Sequence, residues 1–183
     1  NNATNNYFTM TEDGYYKALK KEHTLFQSAA GKQWVANIEL PSLAANEEAG
    51  FVLIQKDNGV KWGRWMRILV NKAEDGTIKL FTQMHVDGLF DEATAQNIDI
   101  TSTEGKVLEV ALIYNTIHVS LDGKLLVQYD SSSTMVANSA YTVETTFGKL
   151  GNYELYCGLY VQKDKLIKDW GFSNVIDTNI TYT

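Results

Sequence analysis

The sequence predicts an all-β chain, folded as a sandwich or barrel, and three observations predict it. Short runs rich in β-branched and aromatic residues follow one another, each bounded by Gly, Asn or Asp. Proline occurs once, at Pro41, and no stretch keeps a helical period for long. Asp122-Gly123 sits between Val119-Ser120-Leu121 and Lys124-Leu125-Leu126-Val127, the strongest hairpin signal in the chain. Asp-Gly accepts the positive φ values that a type I′ turn requires.

Trp34 to Leu40 alternates and stops at Pro41. Phe51 to Gln55 ends at the turn Asp57-Asn58-Gly59. Val60 to Asn71 precedes Asp75-Gly76, and Thr77 to Val86 ends at Asp87-Gly88. Lys106 to Tyr114, Thr116 to Leu121 and Lys124 to Asp130 form the next group. Tyr141 to Phe147, Tyr153 to Val161 and Leu166 to Ile176 complete the set. Short helical pieces are expected only at Ser42 to Asn46 and Glu92 to Gln96. Asp87 to Glu92, which contains Gly88, reads as a loop. No internal repeat and no Pro- or Ser-rich linker divides the chain, so residues 7–183 read as one domain. Residues 1–6, Asn-Asn-Ala-Thr-Asn-Asn, read as the remnant of a linker, and hence the chain as a module of something longer.

Composition removes several function classes. With 183 residues, 44% hydrophobic and 21% charged, the chain can bury a core without staples. One cysteine, Cys157, excludes an internal disulfide and any zinc site with two thiolates. The net charge is −6, and no basic cluster exceeds Lys20-Lys21. Neutralising phosphates needs a basic face, so neither nucleic acid nor an anionic membrane is the expected partner. No apolar run reaches the roughly 18 residues of a membrane helix. The polar N-terminus lacks the basic and apolar regions of a signal peptide.

Alternation sorts the strand residues into two sets. Leu155, Cys157, Leu159 and Val161 oppose Glu154, Tyr156, Gly158, Tyr160 and Gln162. Leu80, Thr82, Met84 and Val86 oppose Phe81, Gln83 and His85. Leu108, Val110 and Leu112 oppose Glu109, Ala111 and Ile113. Trp34, Ala36, Ile38 and Leu40 oppose Val35, Asn37 and Glu39, and Met66 and Ile68 oppose Trp65 and Arg67. One set is a core between two sheets. The other mixes Trp and Tyr with amides, carboxylates, His and Arg. Aromatic rings pack on the C–H face of a sugar while those polar groups bond its hydroxyls.

At three segments the chain resembles the concanavalin A-like lectin/glucanase superfamily, in its laminin-G-like and bacterial carbohydrate-binding-module branch. The first is Glu48-Ala-Gly-Phe-Val-Leu-Ile54 with Asp57-Asn58-Gly59 and Trp62-Gly-Arg-Trp65. The second is Val107-Leu-Glu-Val-Ala-Leu-Ile-Tyr114 running into Ile117-His-Val-Ser-Leu-Asp-Gly-Lys124. The third is Cys157-Gly-Leu-Tyr-Val161 with Trp170-Gly-Phe-Ser-Asn-Val175. The resemblance implies a two-sheet antiparallel jelly roll with its terminal strands close together. It also implies a sugar-binding role of the kind found in modules attached to secreted bacterial glycoside hydrolases. A structural calcium, common among glycan-binding relatives, would here draw on Glu12, Asp13 and Asp169.

The candidate glycan-binding residues are Trp65, Arg67, Gln83, His85, Tyr156 and Tyr160, with Glu39 and Glu109 as neighbours on the same surface and Trp62 at its rim. Trp62-Gly63-Arg64-Trp65-Met66-Arg67 holds two tryptophans and both arginines of the chain. A ring and a planar donor fork on one face can grip one ligand together. His85 shares its face with Gln83, whereas His23 and His118 read as surface residues. Cys157 reads as a buried small hydrophobe. The enzymatic branch of the superfamily carries Glu-x-Asp-x-x-Glu or Glu-x-Asp-x-Glu on one strand, which spaces two carboxylates for glycoside cleavage. That run is absent from this sequence. No catalytic residue is therefore assigned.

The expected function is a non-catalytic, lectin-like carbohydrate-binding module that targets a secreted bacterial glycoside hydrolase or adhesin to a glycan. No cofactor is required, and calcium is an optional structural ion. An extracellular or cell-surface location goes with it. The competing expectations are a laminin-G-like protein-interaction or structural domain, and a glycoside hydrolase of the same fold.

Overall fold

The computed structural model describes the backbone of residues 7–8, 17–18, 25–27, 32–55, 64–86, 90–113, 116–130, 154–161 and 167–176. Side-chain environments are described for residues 35–53, 66–85, 93–111, 116–130 and Leu159. Among these residues every regular element is a strand. In chain order they are β1 (Tyr7–Phe8), β2 (Lys17–Ala18), β3 (Leu25–Gln27), β4 (Lys32–Glu39) and β5 (Glu48–Gln55). Then follow β6 (Arg64–Lys72), β7 (Ile78–Val86), β8 (Phe90–Asn97) and β9 (Val107–Ile113). The last four are β10 (Thr116–Leu121), β11 (Lys124–Tyr129), β12 (Glu154–Val161) and β13 (Ile167–Ile176).

Two antiparallel sheets result. The first runs β1-β13-β4-β9-β10-β11, and the second runs β2-β12-β5-β6-β7-β8, with β3 also paired to β12. The chain is an all-β antiparallel sandwich of the jelly-roll kind. The terminal strands do meet: Tyr7 and Phe8 pair with Lys168 and Ile167.

The core is where alternation places it. Ala36, Ile38, Leu108, Val110, Ile117, Val119 and Leu121 of the first sheet pack in one buried cluster with the second sheet. From that sheet come Ala49, Phe51, Leu53, Met66, Ile68, Val70, Ile78, Leu80, Met84 and Leu159. Each large side chain removed from water contributes roughly 1.5–3 kcal/mol, so this layer holds the sandwich together. Met66 is fully buried, and the β5–β6 and β6–β7 ladders run without a bulge. The alternation in β6 is therefore intact.

Local chemistry fixes the connections. Asp122 and Gly123 adopt φ of 49° and 80°, the pair of positive values expected of the Asp-Gly hairpin. Asp122 Oδ1 also accepts a hydrogen bond from the Val107 N–H at 2.7 Å, tying the turn to β9. Thr103 is buried, donates to the Pro41 carbonyl at 2.7 Å and accepts from the Leu43 N–H at 3.2 Å. It joins the two loops at this end of the sandwich.

Two local expectations are corrected. Ser42 to Asn46 is irregular chain ending in a turn, with Asn46 at φ 66°, its N–H bonded to the Lys72 carbonyl. Glu92 to Gln96 lies within β8, and Phe90, Asp91 and Glu92 are strand rather than loop. Ala, Asp, Glu and Gln favour strands weakly, so pairing with β7 overrides the local preference. β8 ends its sheet, and Ala93, Ala95 and Asn97 are exposed on it. The expected strand Tyr141 to Phe147 lies outside the described residues, as does the Asn1 to Asn6 segment.

Candidate glycan-binding face on the second sheet

The outer face of the second sheet is assembled by four ladders in register. One row aligns Tyr156, Ile54, Trp65, His85 and Asp91. The next aligns Gly158, Val52, Arg67, Gln83 and Ala93, and a third aligns Tyr160, Gly50, Leu69, Phe81 and Ala95. Directly opposed residues of antiparallel strands lie on the same face. Six of the predicted residues, Trp65, Arg67, Gln83, His85, Tyr156 and Tyr160, thus occupy positions on one sheet face. The backs of these strands supply core residues Leu53, Met66, Met84, Phe51, Ile68 and Leu159.

Arg67 and Gln83 are both half-buried, and the Arg67 guanidinium donates to Gln83 Oε1. Pairing with the amide oxygen fixes the direction of the guanidinium. The Gln83 amide nitrogen adds two donors. His85, half-buried, stands in the adjoining row two residues along β7. Cation, amide and imidazole therefore converge on one patch, a donor-rich surface suited to hydroxyl oxygens.

The centre of the face is not polar. Val52 and Leu69 are fully buried there and pack with half-buried Phe81 as a small second cluster. Gly50 opposes Leu69, and a Cβ at Gly50 would stand 2.3 Å from the Ile68 carbonyl oxygen. Only glycine permits this approach. Beyond the cluster the face turns polar again, with Asn71 donating to Glu48 Oε1 at 3.0 Å. Sequence reasoning missed Gly50, Val52 and Leu69 as parts of this surface. Phe51 to Ile54 and Ile68 to Val70 are apolar throughout, so alternation leaves no mark on them.

Two predicted members belong elsewhere. Glu39 lies on β4 and Glu109 on β9, both strands of the first sheet. Their strand-mates Ile38 and Leu108 face the core, so both carboxylates lie on the other outside of the sandwich. Alternation divides the residues of one strand but does not say which sheet the strand joins. His118, expected at the surface, is half-buried on β10. Its Nε2 lies 2.7 Å from Thr116 Oγ1, and burial lowers its pKa from the usual 6.5. Trp62, Glu12, Asp13 and His23 lie outside the described residues. Asp169 falls at a register irregularity between Lys168 and Gly171, where β13 pairs with β4. Among the described residues no three His, Cys, Asp or Glu side chains are grouped to hold a metal ion.

No protein-family model matches this sequence, and no curated protein does. Solved structures do match. A glycoside hydrolase family 16 endo-glucanase from Bacteroides ovatus, in complex with G4G3G-2F-DNP, superposes with a TM-score of 0.51. It covers 81% of this chain and 71% of its own, at 11% identity. A functionally unknown protein from Saccharomyces cerevisiae gives 0.52 over 93% of this chain and 88% of its own, at 9% identity. The GH43 BlXynB protein from Bacillus licheniformis gives 0.51 over 93% of this chain but 32% of its own, at 13% identity. This chain thus spans about a third of that enzyme's length. At such identities the likeness is one of fold. The chain shares the two-sheet antiparallel β-sandwich fold of these proteins.

Proposed function

We propose that the chain is a non-catalytic carbohydrate-binding module, carried by a secreted bacterial protein, that holds a glycan on the outer face of its second sheet. The observation that carries this reading is the Arg67–Gln83 pair, joined side chain to side chain beside His85, in register rows that also hold Trp65 and Tyr156. Directed donors bond sugar hydroxyls, and an aromatic neighbour covers the C–H face of the ring. Fold likeness to a glucan-cleaving enzyme supports a carbohydrate partner in general. The missing acidic strand motif favours binding without cleavage. A glycan-array screen of the isolated chain tests it, paired with a search for released reducing ends from each polysaccharide bound. Binding without release is the expected result. Product release would make the protein a glycoside hydrolase.

One observation favours a second reading, a laminin-G-like protein-interaction or structural domain. Val52 and Leu69 are fully buried at the centre of the same face and pack with half-buried Phe81, so that part of the face serves packing rather than a ligand. No response to any glycan on the array would support this alternative.

A further inference from the structure

We propose that the groove between the end of β8 and the β10–β11 hairpin is a second binding site, for a single neutral saccharide unit. A cavity of about 480 Å³ opens there, where the edge strands of the two sheets come together. That volume is within the range of small-molecule sites. Its choice of ligand follows from its own lining and survives failure of the sheet-face reading.

The groove is built rather than left over. Two residues of β11, Leu125 and Leu126, stand where β10 presents Ser120, and the β10–β11 register shifts between Val119 and Ser120. This bulge puts Leu126 and Val127, neighbours in sequence, both against the core. The edge strand is thereby bent, and Gln96 Nε2 of β8 reaches the Leu126 carbonyl at 3.5 Å across the gap. The hairpin wall is fixed by Asp122, whose Oδ1 accepts from Val107 N–H at 2.7 Å and whose Oδ2 lies 3.6 Å from Lys106 Nζ. The opposite wall is pinned by Ile98 N–H donating to the Ile78 carbonyl at 2.8 Å. Fixed walls lose little freedom on binding.

The lining selects the ligand. Half-buried Ile100 and Leu126 offer an aliphatic surface with buried Ile98 and Leu121 behind it, and Gln96 and Asn97 offer amides. Lys106 and Lys124 are balanced by Asp99 and Asp122, so the cavity carries no net charge to attract an anion or a cation. Lys106 and Asp122 are committed to each other. Among the described residues, the Asp99 and Lys124 side chains are engaged in no hydrogen bond or ion pair. One accepts and the other donates, and the amides do both. Vicinal hydroxyls beside an apolar C–H face satisfy that set, as a neutral pyranose provides.

The groove is distinct from the Arg67 patch. Asn97 pairs with Lys79, four residues along β7 from Gln83, which separates the two by on the order of 15 Å along the strands. A polysaccharide contacting both would be held bivalently, with avidity above either single contact.

The test is amide chemical-shift titration of the whole chain with neutral methyl glycosides (glucoside, galactoside, mannoside and xyloside). Sodium glucuronate and glucosamine serve as charged counterparts. A neutral glycoside is expected to shift the amides of Gln96 to Ile100 and Leu121 to Leu126. Its affinity, read at those amides, should fall about tenfold or more in the Asp99→Asn, Lys124→Met double variant. Groove shifts without any at Arg67 or Gln83 would sustain the groove while removing the sheet-face site. Shifts confined to Arg67 and Gln83 would overturn the groove. So would no shift with any neutral glycoside, equal or stronger shifts with the charged sugars, or full retention in the double variant.

Discussion

Thr82 and Thr94 face each other across the β7–β8 ladder on the core side of the sheet, with their hydroxyl oxygens 3.1 Å apart. Thr82 is buried, and its hydroxyl lies close enough to the Tyr129 phenol, on the edge strand of the opposite sheet, to favour the phenol's charged form. Burial raises the pKa of the Tyr129 phenol above the usual 10.0. The three hydroxyls form a polar link between the sheets inside an otherwise apolar layer. Thr82→Val leaves the other two short of a partner and should cost about 1–3 kcal/mol in urea unfolding. The Tyr129→Phe change alone should cost less than Thr82→Val. Equal stability of Thr82→Val and wild type would show the link to be energetically idle.

Gly50→Ala is expected to destabilise strongly. Its Cβ would meet the Ile68 carbonyl oxygen at 2.3 Å and the Leu69 Cα at 2.8 Å, both backbone atoms that no rotamer change can move. The strands β5 and β6 would have to separate at the middle of the sheet. A loss of about 2 kcal/mol or more is expected, at the upper end of overpacking costs, read as a lowered melting temperature. By contrast, Gly76→Ala meets no atom within 4 Å, and its cost comes only from the φ of 89°.

For the glycan face, Trp65→Ala or Tyr160→Ala should weaken a ligand found on the array by about 1–3 kcal/mol, with little change in stability. Gln83→Ala should also weaken it, because the Arg67 guanidinium loses the acceptor that directs it. Calorimetric titration reads all three. Unchanged affinity with a lowered melting temperature would assign the rings to packing.

His118 makes stability depend on pH. Burial lowers its folded-state pKa below 6.5, so the folded ring prefers to be neutral. Between the folded value and 6.5 the unfolded chain binds more protons. Stability from this residue is therefore complete above 6.5 and lost as pH falls through the window down to the folded pKa. His118→Gln should flatten that part of the profile while leaving the neutral-pH plateau in place. Parallel profiles for the two proteins would contradict the assignment.

Much of the fold was legible because half-buried strands alternate. Ala36, Ile38, Leu108, Val110, Met66, Ile68, Leu80 and Met84 are buried as their positions require. The hairpin at Asp122-Gly123 was legible for a different reason, since few dipeptides accept two positive φ values. β8 was not legible. Its Glu-Ala-Thr-Ala-Gln run has weak strand preference, and only its pairing with β7 makes it a strand.

The order of residues along the chain encodes the all-β class, the side of most strands that faces the core, and the shared surface of Arg67, Gln83 and His85. Those properties follow from periodicity within one strand and between strands linked by short turns. Tertiary structure alone decided which sheet each strand joins. β4 and β9, the strands that carry Glu39 and Glu109, pair across some seventy residues of chain, and no local pattern encodes that distant choice. It also decided that Val52 and Leu69 close the middle of the candidate face. In strands apolar on both sides, only the packing around each position determines what is left open.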